Sequence, residues 1–180
     1  PWVVLKGLEN VVHIMSISQR QQIAEELGID CWYQIKFSKE LAGFEPDIFI
    51  KKVIEPLGVK HLVCGFDFTY GAFGKGKAND LLSYTTFTTQ IISPITYLDE
   101  KISSTRIENY IRSGEMDVVE EILGKPFTME SMVVHGHKIG HTIGFPTINL
   151  DVENIYVLPK NGVYAGFMNY KGKKYIAMIN

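Results

Sequence analysis

The chain has 180 residues, 46% of them hydrophobic and 21% charged. That suits one ordinary domain or two small ones and is at odds with disorder. A formal net charge of −2 gives no global basic field that would draw in nucleic acid or an anionic membrane. No run of about 18 apolar residues marks a membrane span, and the opening lacks the basic-then-apolar pattern of a signal peptide.

The first part alternates helix and strand. Ser16-Ile17-Ser18-Gln19 has the capping-box spacing, and the helix it opens is expected to stop at Gly28. Ile29, Cys31, Tyr33, Ile35 and Phe37 then alternate with other residues, the period of a strand. A second helix is expected from Pro46, with Phe49, Ile50, Val53 and Ile54 on one face and Pro56 and Gly58 as its stop. His61-Leu62-Val63-Cys64 reads as a short buried strand. Helix, strand, helix, strand is the rhythm of a parallel α/β sheet. The expected sheet lacks its first strand, so its amino-terminal part is expected to be missing. Cys31 and Cys64 both fall in strand-like apolar runs. They read as small buried hydrophobes in a reducing cytoplasm, with a disulfide left open.

Thr105-Arg106-Ile107-Glu108 and Asp117-Val118-Val119-Glu120 repeat the capping-box spacing, with Gly114 and Gly124 as stops. Beyond Gly124 the pattern becomes all-β. Strands are expected at Met132–Val134, Val163–Ala165 and Tyr175–Ile179, with Lys171-Gly172 turning a hairpin. This places a domain boundary near Leu123 to Lys125, dividing the chain into 1–123 and 124–180. The last strand ends at Asn180 with an uncovered edge, so the carboxyl end is expected to continue.

Four constellations could carry chemistry. Gly65-Phe66-Asp67-Phe68-Thr69-Tyr70-Gly71 begins at the carboxyl end of an expected strand, where open α/β sheets bind ligands. It runs into Gly74-Lys75-Gly76-Lys77. Gly71 to Lys77 has P-loop spacing, but Ala78 stands where Ser or Thr would hold magnesium. The same residues also read as a solvated loop. Ser103-Ser104-Thr105-Arg106 at a helix start suits an anion and equally suits plain capping. His135, His137 and His141 suggest metal, yet no Cys or carboxylate completes a zinc spacing. Their segment also reads as a glycine-rich phosphate loop leading to Pro146, with Thr147 and Asn149 as oxygen donors for magnesium and nucleotide, or as a simple β-turn. Leu158-Pro159-Lys160-Asn161-Gly162-Val163-Tyr164 is locally a turn into a strand.

The order GFDF with a GKGK loop, then ISSTR, LGKPF, VVHG, GHTIGFPTINL and LPKNGVYAG resembles the bacterial bifunctional riboflavin kinase/FMN adenylyltransferases (prokaryotic FAD synthases) across nearly all of the chain. The resemblance implies a nucleotidyltransferase-type α/β domain with a parallel sheet, then a riboflavin-kinase-type β-barrel, each incomplete at its outer end. It implies ATP as co-substrate, Mg2+, riboflavin as substrate, FMN and FAD as products or bound ligands, and a cytoplasmic enzyme with no nucleic-acid or membrane partner. Gly65, Phe66, Asp67, Phe68, Ser103, Ser104, Thr105 and Arg106 match the ATP- and FMN-binding positions of the adenylyltransferase. Gly136, Lys138, Gly140, Thr142, Gly144, Thr147 and Asn149 match the kinase's phosphate loop, with Thr147 and Asn149 on Mg2+. The family's HxGH loop and general-base Glu fall outside the chain, so the isolated polypeptide is expected to show little or no catalysis. His141 stands where the family usually has Arg, which weakens a phosphate contact. The span from Asp80 to Ile102 is short for the helix and strand it must hold. A flavin- or nucleotide-binding module without catalysis, and a metal protein built on the histidines, are the competing readings.

Overall fold

A computed structural model describes residues 2–7, 11–135, 147–152 and 155–180. Its helices are α1 (Trp2–Lys6), α2 (Ile17–Glu26), α3 (Lys39–Ala42), α4 (Pro46–Phe49), α5 (Ser104–Ser113) and α6 (Met116–Leu123). The strands are β1 (His61–Gly65), β2 (Thr69–Tyr70), β3 (Gly76–Lys77), β4 (Thr88–Ile92), β5 (Thr96–Tyr97), β6 (Glu100–Lys101), β7 (Val133–Val134), β8 (Asn149–Leu150), β9 (Tyr164–Tyr170) and β10 (Lys173–Ile179). They form two compact units, Pro1–Val11 with Cys31–Ile102, and Val12–Asp30 with Ser103–Asn180.

In the first unit β1 and β4 pair in parallel, from His61 opposite Thr88 to Gly65 opposite Ile92. A parallel ladder is present, as the helix–strand rhythm led one to expect, but the partner of His61–Gly65 is Thr88–Ile92, a segment not read as a strand, rather than residues 29–37. Its core is Ile50, Tyr70, Leu81 and Phe87, with Phe49, Ile54, Leu62 and Cys64 packed against it. The helix expected from Pro46 does start there, with proline in the first turn. It then passes into a π-helical turn, Ile50–Ile54, and a 3-10 turn, Glu55–Leu57. Pro56 explains the change: it has no N–H to donate, and its ring crowds the carbonyl four residues back, so the helix widens before it. Gly58 ends the run at φ 66°.

Two expectations fail here. Residues 29–37 form no strand, and Trp32, Tyr33 and Ile35 are exposed. A strand exists through lateral hydrogen bonds, and among the described residues none pairs with this segment. Cys31 is therefore exposed rather than buried, while Cys64 on β1 is half-buried, and both thiols are free.

In the second unit α2 carries the full capping box read from Ser16 and Gln19. The Gln19 side chain is buried and also donates to the Thr128 carbonyl at 2.9 Å. His13 bridges Tyr156 in parallel, with His13 N–H on Ile155 O at 2.9 Å and Val157 N–H on His13 O at 3.0 Å. Ile14, Ala24, Ile107, Ile111, Val119, Tyr156 and Val157 are buried. The N-caps of α5 and α6 are Ser103 and Glu115, each two residues before the expected Thr105 and Asp117. Ser103 is extended and its hydroxyl takes the Arg106 N–H; Glu115 is all that remains between the Gly114 stop and Met116.

β7 pairs with β8, and β9 with β10, both antiparallel. Among the described residues these remain separate two-stranded sheets, and no closed barrel is formed. Lys171 and Gly172 join β9 to β10 at φ 48° and 75°, the two left-handed residues of a tight hairpin turn whose twist matches its strands. On the hairpin, Tyr164, Gly166 and Met168 are half-buried, whereas Phe167, Ile176 and Met178 are exposed. No helix of the described residues is long and apolar enough to cross a membrane.

Candidate functional site

The strand-end motif extends the parallel ladder by one bond. Phe66 N–H reaches Ile92 O at 2.9 Å, and Phe68 N–H turns back onto Gly65 O at 3.0 Å. The turn carries Asp67, whose carboxylate meets the Lys101 ammonium at 2.5 Å. The same ammonium stands 4.7 Å from the centre of the Phe66 ring. Hydrogen bonding from Lys101 holds the Asp67 carboxyl below its ordinary value. Phe68 stacks on Tyr70 at 5.9 Å. Phe66 and Phe68 remain 43% and 38% exposed, so aromatic surface stays available for a flat ligand.

The GKGK stretch is not a P-loop. A P-loop cradles phosphate with the unpaired backbone of a loop opening an α-helix, whereas here Gly76-Lys77 pairs as a strand with Thr69-Tyr70 and leads only into a 3-10 helix, Ala78–Ser83. Its lysines are engaged: Lys75 with Glu45 at 2.8 Å and the Lys77 ammonium with the Gly74 carbonyl at 2.7 Å. The glycines of the Gly71–Lys77 segment answer to packing. A Cβ on Gly76 would lie 2.6 Å from the Tyr70 ring, and one on Gly71 2.8 Å from Pro46 N.

Ser103, Ser104, Thr105 and Arg106 open α5 in the second unit, whereas Gly65, Phe66, Asp67 and Phe68 lie in the first. The Ser103 hydroxyl accepts the Arg106 N–H at 3.3 Å, so capping is real. The Arg106 guanidinium lies beside Tyr110, 3.4 Å from its hydroxyl. Other N–H groups of this first turn keep their partial positive charge, which an anion can use.

In the kinase segment Gly136, His137, Lys138, Gly140, His141, Thr142 and Gly144 lie outside the described residues. Thr147 and Asn149 are exposed, and Asn149 sits opposite Val134 in the β7–β8 ladder. Their hydroxyl and amide oxygens are hard, neutral donors, a set that fits magnesium when phosphate and water supply the remaining ligands. Among the described residues no group of three or more His, Cys, Asp or Glu could hold a metal. Further on, the Tyr164 hydroxyl donates to Lys160 O at 2.6 Å and closes the Leu158–Tyr164 turn. Sequence reasoning passed over Lys101. Its only signal there is a position just before the ISSTR run.

Comparison with known proteins adds a second line. The family described as FAD synthetase matches residues 1–106, and the one described as riboflavin kinase matches residues 123–180. A bifunctional riboflavin kinase/FMN adenylyltransferase from Listeria monocytogenes is 36% identical over 183 residues, covering 100% of this chain and 58% of the relative. The protein of that description from Bacillus subtilis is 38% identical over 160 residues, covering 87% of this chain and 50% of the relative. A crystal structure described as a macrolide-efflux protein from Streptococcus pneumoniae matches at TM-score 0.84 and 34% identity, over 93% of this chain and 55% of that one. The chain thus spans between half and three-fifths of the length of these relatives.

Proposed function

Since the chain belongs to the FAD synthetase family, with a riboflavin kinase match behind that segment, we propose that its parent polypeptide makes FAD from riboflavin in two ATP-dependent steps. The observation that carries this reading is the order of the two family matches along one chain. Residues 1–123 then form the adenylyltransferase, of nucleotidyltransferase type, and residues 124–180 contribute to a riboflavin-kinase barrel.

In the kinase step the 5′-hydroxyl of riboflavin attacks the γ-phosphorus of ATP and ADP leaves. Thr147 and Asn149 would hold magnesium, which neutralises charge on the transferring phosphoryl group. Gly136, Lys138, Gly140, Thr142 and Gly144 surround the phosphates. In the second step an FMN phosphate oxygen attacks the α-phosphorus of ATP and pyrophosphate leaves. Ser103, Ser104, Thr105 and Arg106 hold the triphosphate at the start of α5, where N–H groups and a guanidinium supply positive charge. Gly65, Phe66, Asp67 and Phe68 hold the nucleotide or flavin ring at the end of β1. Orientation and charge neutralisation are what both steps ask of the protein. Free thiols at Cys31 and Cys64 suit a reducing cytoplasm.

The test is incubation of the complete polypeptide with riboflavin, ATP and magnesium, followed by chromatography of the flavins. FMN and then FAD are expected. Flavin binding with neither product would replace this reading with a binding module that has no chemistry.

A further inference from the structure

Lys101 is placed by an unusual turn. β5 and β6 form a ribbon with Thr96 opposite Lys101 and Tyr97 opposite Glu100. The two residues between them are Leu98 and Asp99, at φ 50° and 61°. A tight hairpin requires left-handed backbone at both central positions, which glycine or asparagine supplies at least strain. A leucine there is sterically opposed. Ile102 N–H closes on Ile95 O at 2.9 Å and extends the ribbon beyond Lys101. The backbone of Lys101 is therefore fixed on both sides.

From that fixed point its ammonium makes two contacts with the strand-end motif, the Asp67 carboxylate at 2.5 Å and the Phe66 ring at 4.7 Å. The ion pair is half exposed, with side chains 44% and 57% accessible. Pairs in that setting add little to folding stability. Their consequence is orientation. One ammonium holds the carboxylate and covers one part of the Phe66 ring surface by a cation–π contact. The remaining aromatic surface is the part open to a ligand.

We propose that Lys101 is a positioning residue of this site, one that sets Asp67 and Phe66 for a planar heteroaromatic ring, the flavin or the adenine of the substrates. This rests on the assignment of Gly65–Phe68 as a binding motif. Lys101 acts through Phe66 and Asp67 and takes no part in bond making.

The experiment uses the complete polypeptide and the variants Lys101→Met and Lys101→Arg, with FMN and ATP titrated separately as probes. Lys101→Met is expected to raise the KM and Kd of whichever probe stacks at the motif about fivefold, as expected for loss of a partly exposed cation–π contact and a carboxylate partner, with kcat nearly unchanged. Lys101→Arg is expected to restore most of that loss, because a guanidinium can both pair with a carboxylate and lie over a ring. Lys75→Met breaks an ion pair of similar exposure in the same unit and is expected to change neither constant. Unchanged constants in Lys101→Met overturn the proposal, as does failure of Lys101→Arg to recover them or an equal loss in Lys75→Met. Phe66→Ala and Asp67→Asn separate the two levels of inference. If they too leave both probes unaffected, the motif itself is not a binding site; if they weaken binding while Lys101→Met does not, only the role of Lys101 falls.

Discussion

The hydroxyl of Tyr156 accepts the Glu130 N–H at 3.0 Å and donates to the Glu130 carbonyl at 3.1 Å. Its ring is buried. Tyr156→Phe keeps the ring and strips both backbone groups of their partner. Glu130 itself is exposed, so water can reach its backbone groups and the loss is that of ordinary hydrogen bonds, about 0.5–1.5 kcal/mol, which urea unfolding followed by circular dichroism should show. A change within about 0.5 kcal/mol, the scatter of ordinary surface substitutions, would mean that other donors replace the hydroxyl. Tyr156 carries no sequence signal of this role, because its partner is 26 residues away. The glycines between Gly71 and Lys77 teach the same lesson. Their spacing resembles a phosphate loop, yet Gly76 is small because the Tyr70 ring presses against it, and Gly71 because Pro46 does and because its φ is 72°. Spacing records where a side chain is absent and leaves open what fills the space.

At the scale of single elements, stop signals were the most legible feature. Gly28, Gly58, Gly114 and Gly124 all adopt positive φ where helices were expected to end, since each stop is decided by one local residue. Starts were legible to within two residues. Three hydroxyls in a row, Ser103, Ser104 and Thr105, offer equivalent caps, and only the backbone angle at Ser103 chooses between them. The hairpin turn at Lys171-Gly172 was legible for the same reason as the stops. It gives a local prediction: Gly172→Ala places a Cβ at φ 75° and should destabilise the β9–β10 ladder by about 1 kcal/mol. Lys171→Gly removes a left-handed side chain and should act in the opposite direction. Amide hydrogen exchange of Tyr164–Tyr170 reads both. Equal exchange in Gly172→Ala and the parent chain would show that the turn does not limit ladder opening.

Across the whole molecule, the sequence order of motifs foretold both family matches, while the sheets themselves were harder to foresee. The alternation of helix and strand implied a parallel sheet and placed one of its strands, β1, but its partner β4 went unread. Residues 29–37 share that alternation, yet a strand needs a neighbour as well as a pattern, and none of the described residues supplies one. A pH response should be equally global. Burial, and then its hydrogen bond to Asp47, push the Tyr84 hydroxyl well above its ordinary value of 10.0. Burial raises Tyr70 as well. A folded-state pKa above the unfolded one means that unfolding favours ionisation once pH passes the unfolded value. Stability should therefore be fully present below about pH 10 and fall as pH rises further. Urea midpoints measured between neutral and strongly alkaline pH should show this fall, and Tyr84→Phe should make it shallower. An identical slope in that variant would assign the effect elsewhere.

The outward face of the β9–β10 hairpin bears on handling. Phe167, Ile176 and Met178 form a greasy stripe on a two-stranded ribbon, a template on which another ribbon could grow into an intermolecular sheet. Lys171, Lys173 and Lys174 cluster at one end of that stripe, and the Lys174 ammonium lies 3.9 Å from the centre of the Phe167 ring. These lysines act as gatekeepers by mutual repulsion. Salt screens such repulsion, so concentrated salt or acetylation of the cluster should turn a dispersed solution of this polypeptide turbid.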